Sequence, residues 1–155
     1  MREQLITVPL ILAAAALTAF GADNSLGTWK LNVEKSKYTP APFPIKSLTT
    51  TREAVDGGVK IMSTGVQADG TPINSSNTIK YDGKEYPITG APWDTSSMKQ
   101  VDANTFTGTS RQKSGKYKGT SRTVISKNGK SMTTTAKGTG ADGKPFTATL
   151  IYDKQ

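Results

Sequence analysis

Asx-Gly pairs punctuate this chain at intervals too short for helices. Asp56-Gly57, Asp69-Gly70 and Asp82-Gly83 recur every 13 residues, and Asn128-Gly129 and Asp142-Gly143 follow 14 apart. Such a spacing is one strand plus one turn. Glycine supplies the positive backbone angle that a tight hairpin needs, and the Thr-, Val- and Ile-rich flanks suit a pleated surface. The flanks are not otherwise alike, so the pattern is a meander and not a sequence repeat.

Taken in order, the strand signals are Leu26 to Asn32, Ser47 to Val55, Val59 to Gln67, Ile73 to Tyr81, Glu85 to Ile88, Ser97 to Val101, Thr105 to Gln112, Tyr117 to Ser126, Ser131 to Thr139 and Phe146 to Tyr152. That is about ten antiparallel strands in series. The proline-rich link from Val33 to Pro44 suits neither a helix nor a central strand, and is expected to close one end of the domain. Thr89 to Asp94 is an irregular loop carrying Trp93.

Alternation assigns Ile73, Ser75, Asn77, Ile79 and Tyr81 to one face, Met132, Thr134 and Ala136 to another strand's matching face, and Phe146, Ala148, Leu150 and Tyr152 to the last. These faces mix apolar groups with small polar ones. Two packed sheets need denser apolar inner faces, whereas a closed barrel with a partly wet interior tolerates the mixture and leaves no open edge. The expected fold is therefore all-β, an up-and-down meander closed into a barrel.

The first residues form a separate unit. Arg2 precedes an uncharged run from Gln4 to Phe20, with Ala19 and Gly21 as small residues at its end. This is the pattern of a secretory signal peptide, residues 1–21, cleaved to leave the barrel domain at 22–155. Pro9 and the shortness of the apolar run argue against a retained membrane span. A periplasmic or extracellular location is expected.

The 155 residues include neither cysteine nor histidine. Thiol nucleophiles, imidazole bases and the usual zinc and haem ligands are thus missing. Asp56, Asp69, Asp82, Asp102 and Asp142 occupy turns, where a carboxylate caps local backbone. The remaining acids show no acid–base pairing, so catalysis, a metal and a cofactor are not expected. Twenty Lys+Arg against twelve Asp+Glu give a net charge of +8, which favours anionic partners. The lysines are spread through turns and strands without interleaved aromatics, which argues against nucleic acid.

Gly27-Thr28-Trp29-Lys30-Leu31 on the first strand, the serial meander, and the ending Tyr152-Asp153-Lys154 together resemble the calycin barrels. The chain resembles fatty-acid-binding and bacterial lipocalin-like proteins more than large secreted lipocalins, and the resemblance covers residues 26–155. It implies that Trp29 plugs the barrel floor with Lys154 packed on it. It also implies that a ligand carboxylate is held by Arg122 and by Tyr152. Where that family carries a second arginine on the last strand this chain has Leu150, and the family's helical lid is replaced by the segment around Pro40 to Pro44. Arg52 and Arg111 are further candidates to face the cavity, and Tyr81 shares the apolar phase of its strand.

Two functions follow from these readings. One is a monomeric secreted or periplasmic carrier that holds a small hydrophobic or anionic amphipathic ligand through Arg122, Tyr152, Tyr81, Leu150, Arg111 or Arg52. The other is a structural or adhesive envelope module whose basic exterior binds acidic polymers.

Overall fold

The computed structural model describes residues 22–155; the expected signal segment, residues 1–21, lies outside the described residues. Eleven strands form one antiparallel sheet: β1 (Gly27–Leu31), β2 (Lys37–Thr39), β3 (Ile45–Val55), β4 (Gly58–Gln67), β5 (Pro72–Ile79), β6 (Tyr86–Pro87), β7 (Thr95–Asp102), β8 (Thr105–Arg111), β9 (Lys118–Ile125), β10 (Ser131–Thr139) and β11 (Pro145–Lys154). The lateral order is β5-β4-β3-β1-β11-β10-β9-β8-β7-β6, with β2 also on β11. This is the expected meander, in which the first strand joins the last.

Chain order leaves β5 facing β6 and β7, and hydrogen bonds bring these edges together. Ser76 and Thr89 exchange both backbone bonds, at 3.1 and 3.0 Å, and the Gly83 N–H donates to the Met98 carbonyl at 3.0 Å. Asn77 adds a side-chain bond to Ser96 Oγ at 2.9 Å. Gly90 makes this seam possible. Its φ is +74°, and a Cβ there would stand 1.8 Å from the Asn74 carbonyl oxygen. A nearly closed barrel results, with its edges paired to each other and not to solvent.

The proline-rich link contains one strand that the sequence pattern conceals. β2 pairs Lys37–Thr39 with Thr147–Thr149, while β1 pairs farther along the same strand with Tyr152–Lys154. Between them Ile151, which pairs with Thr133 of β10 on its other side, meets the link that joins β1 to β2. Its N–H donates to Ser36 Oγ at 3.0 Å and its carbonyl accepts from Asn32 N–H at 2.7 Å, so both backbone groups remain satisfied. β7 starts at Thr95, two residues before the expected Ser97, because Thr95 pairs with Arg111 at the end of β8.

The two ends differ. At the floor, Trp29, Leu31, Phe106, Ile125, Met132 and Tyr152 form a buried cluster. Burial of each such side chain is worth about 1.5–3 kcal/mol. Residues 22–25 run across this end. Asn24 N–H reaches the Ala103 carbonyl at 3.0 Å, and the Trp29 indole donates to the Ser25 carbonyl at 2.8 Å. At the other end the strands open into the turn at Asp69-Gly70, the Trp93 loop, the Lys113–Lys116 loop and the turn at Asp142-Gly143.

Candidate ligand site in the barrel

Pleat alternation decides which side chains enter the barrel. On β3, Thr50 and Arg52 are buried while Glu53 is exposed; on β9, Thr123 and Ile125 are buried while Arg122 and Val124 are exposed. Arg52 pairs across the backbone with Gly27 on one side and Ile61 on the other.

The Arg52 side chain is 5% exposed. Its guanidinium carbon lies 5.4 Å from the Phe106 ring centroid, Nη2 is 3.4 Å from the Tyr81 hydroxyl and 3.2 Å from Met98 Sδ, and Nε has no hydrogen-bond partner. Among the described residues no carboxylate comes within 4.0 Å of it; the ion pair they form is Arg111 with Glu85. An isolated buried cation is costly unless paired or hydrogen-bonded, so this group stands in deficit.

One acid reaches it indirectly. The Tyr81 hydroxyl donates to Asp23 Oδ2 at 2.5 Å, and the other oxygen of Asp23 accepts from Ser25 N–H at 2.8 Å and Ser25 Oγ at 2.6 Å. Burial raises the pKa of Tyr81 above its ordinary value, the Asp23 bond raises it further, and Arg52 pulls it back. Burial pushes Tyr152 up to about 12, with Arg52 again opposing. Both phenols are therefore neutral donors at physiological pH.

Above this charged floor the interior becomes polar. Thr50 and Ser63 share a hydrogen bond at 2.8 Å, as do Thr123 and Thr134. Leu48, Thr134, Ala148 and Leu150, all in the inward phase, remain partly exposed, in contrast to the dry floor. At the mouth four near-parallel rings form a column. Tyr38 and Phe146 centroids are 6.0 Å apart, Phe146 and Tyr117 5.8 Å, and Tyr117 and Trp93 4.9 Å.

The candidate residues divide cleanly. Arg52, Tyr81 and Tyr152 converge on the floor, and Leu150 lines the wall above them, packed against the buried cluster. Lys154 Nζ lies 5.1 Å from the Trp29 ring centroid. Gly27 permits this contact: a Cβ there would meet Lys154 Cε at 3.0 Å. Arg122 is corrected, because its neighbour Thr123 takes the inward phase and leaves Arg122 exposed on the outer face. Arg111 is corrected likewise. It is exposed at the end of β8 and makes a two-point ion pair with Glu85, the second contact at 2.8 Å.

The aromatic column and Asp23 escaped the sequence reading. Alternation placed Phe146 on the inward face of the last strand, and Tyr117, just before β9 and two residues from Gly119, carries the same signal, but neither showed that the rings stack. Asp23, outside any strand, offered none.

No protein-family model and no curated protein matches the chain. Solved structures with a similar course include lobster apocrustacyanin A1, at 13% identity and a TM-score of 0.43 over 85% of this chain and 61% of that one. The chain thus spans about three fifths of the crustacyanin chain's length. Zebrafish ileal bile acid-binding protein, crystallised with cholic acid, is 15% identical with a TM-score of 0.49 over 86% of this chain and 100% of that one. The redesigned barrel mFAP1, bound to DFHBI, is 16% identical with a TM-score of 0.41 over 82% and 94%.

Proposed function

We propose that this protein binds and carries a small anionic amphiphile inside the barrel, in a periplasmic or extracellular setting, and acts as a monomer. The observation that carries the reading is the Arg52 guanidinium, buried without a carboxylate and with an unpartnered Nε. A ligand's carboxylate or sulfonate would supply the missing counter-charge, and a charge-assisted bond in a dry site is worth more than one in water. Tyr152 and Tyr81 flank the same position as neutral phenols. The hydroxyl-bearing wall and Leu150 would then face the ligand's body, and the aromatic column would stand at its entrance.

The test is titration of wild type and Arg52→Met with decanoate and with 8-anilinonaphthalene-1-sulfonate, followed by calorimetry or dye emission. Saturable binding that weakens by about 2–5 kcal/mol in the variant is expected, the range for removing one partner of a buried charge pair. Arg122→Met, on the outer face, should bind as wild type does. Equal affinities for wild type and Arg52→Met would overturn the reading.

A further inference from the structure

Strand pairing gathers the positive charge on one side of the barrel. Outward positions of β8, β9, β10 and β2 carry Arg111, Lys118, Arg122, Lys137 and Lys37, all exposed. The acids set against them are Glu85, held by Arg111, and Asp153 at the floor end of β11, which accepts from Asn32 Nδ2 at 2.9 Å. In the paired registers of β3, β4 and β5 the charged outward residues are Glu53 and Lys60, which face each other and cancel. The wall made by β8 to β11 with β2 therefore carries the larger positive charge, and the wall made by β3 to β5 adds only exposed Lys46, at the bulge between Ile45 and Ser47.

The register sets these cations side by side. Lys118 stands directly opposite Arg111, and Arg122, Thr135, Thr149 and Lys37 form one continuous row across four strands. Like charges directly opposite are destabilising. Thr109, Thr120 and Thr147 intervene in the row that contains Lys137. Along the mouth side of this wall runs a groove of about 720 Å³, whose lining includes Arg111 with its partner Glu85, Lys118, Lys137, Thr120 and Thr147.

We infer that this wall is a second binding surface, for a linear acidic polysaccharide. Cations spaced by whole strands meet a chain that carries its carboxylates at intervals, and the threonine hydroxyls between them can donate to and accept from sugar hydroxyls. A single-stranded nucleic acid would want aromatic platforms, and the outward positions of these rows hold none. An anionic membrane would want an inserting apolar element, and the wall offers only isolated Val124 and Ile151. This surface is distinct from the lumen, because its side chains are the opposite phase of the same strands.

The experiment measures binding of the full chain to sodium polygalacturonate, neutral dextran, phosphatidylglycerol vesicles and an oligothymidylate. Polygalacturonate should bind best and dextran not at all, with affinity falling at least about tenfold as salt rises from about 50 to about 300 mM. Lys118→Gln combined with Lys137→Gln should weaken polygalacturonate binding by about tenfold or more without lowering the melting temperature and with decanoate binding unchanged. Lys60→Gln on the opposite wall, and Arg52→Met in the lumen, should leave polygalacturonate binding as it was. Equal loss in Lys60→Gln, tighter binding to vesicles or oligothymidylate, or no binding to polygalacturonate would each overturn the inference. Arg52→Met tests the lumen separately, so the two sites can fail independently.

Discussion

Arg52 Nη2 approaches the Tyr81 hydroxyl at 3.4 Å, while that hydroxyl has committed its own proton to Asp23 at 2.5 Å. The phenol oxygen is therefore turned as an acceptor toward the guanidinium. It is a neutral acceptor at long range, which leaves most of the cation's demand unmet. Asp23 belongs to the segment that crosses the floor, so the seal of the barrel and the electrostatics of its interior are joined through one tyrosine.

Asp23→Asn tests this link. It removes a charged acceptor from the Tyr81 and Ser25 bonds and should cost about 1.5–3 kcal/mol in a denaturant titration. Loss of the nearby negative charge should at the same time tighten binding of decanoate. A variant that loses stability without gaining affinity would show Asp23 acting only as a cap on the floor.

Trp29 and Lys154 should contribute very unequally. Trp29 is fully buried, and Trp29→Ala should cost about 3–5 kcal/mol. Lys154 is exposed, and Lys154→Ala should cost about 0.5–1 kcal/mol through the lost cation–π contact. Thermal and urea unfolding of the two variants gives the comparison, and equal costs would contradict it.

Alkaline stability depends on Tyr152. Its pKa is raised in the fold to about 12, so its contribution is fully present below the unfolded value near 10 and disappears as pH rises through the folded value. Wild type should therefore lose about 2–3 kcal/mol more than Tyr152→Phe between about pH 9 and about pH 12. Urea midpoints for both proteins across that range measure the difference, in which the titration of the lysines cancels. Parallel curves would show that the phenol ionises freely.

Export should remove residues 1–21 and leave Ala22 at the N-terminus, or Asp23 if cleavage falls one residue later, by the order of cation, apolar run and small residues. Cleavage there preserves the Asp23 and Ser25 contacts on the floor. Intact-mass measurement on protein recovered from outside the cytoplasm would show the loss, and retention of Met1 would replace the signal peptide with an anchor.

Local chemistry made much of the barrel legible in the chain. Gly57, Gly70, Gly129 and Gly143 all adopt positive φ at the turns that the Asx-Gly pairs mark, because those backbone angles depend on residues adjacent in sequence. The inward phases of β5, β10 and β11 were legible for the same reason, since Ile79, Met132 and Tyr152 anchor one face without competition from the other. β9 gave no such anchor: Thr123 and Ile125 on one face and Arg122 and Val124 on the other are nearly matched in apolar content, and only pairing of Ile125 with Met132 selects between them. The buried Arg52 ranked behind Arg122 as a candidate until Gly27 and Phe106 were brought beside it from distant strands. Likewise the basic wall collects Lys37, Arg111, Lys118 and Lys137 from separate stretches of the chain. The sequence by itself determined turns, strands and most side-chain phases, which are properties of neighbours in the chain. Which arginine met the floor, and where the charge accumulated, were decided by the register between strands, which exists only once the sheet has closed.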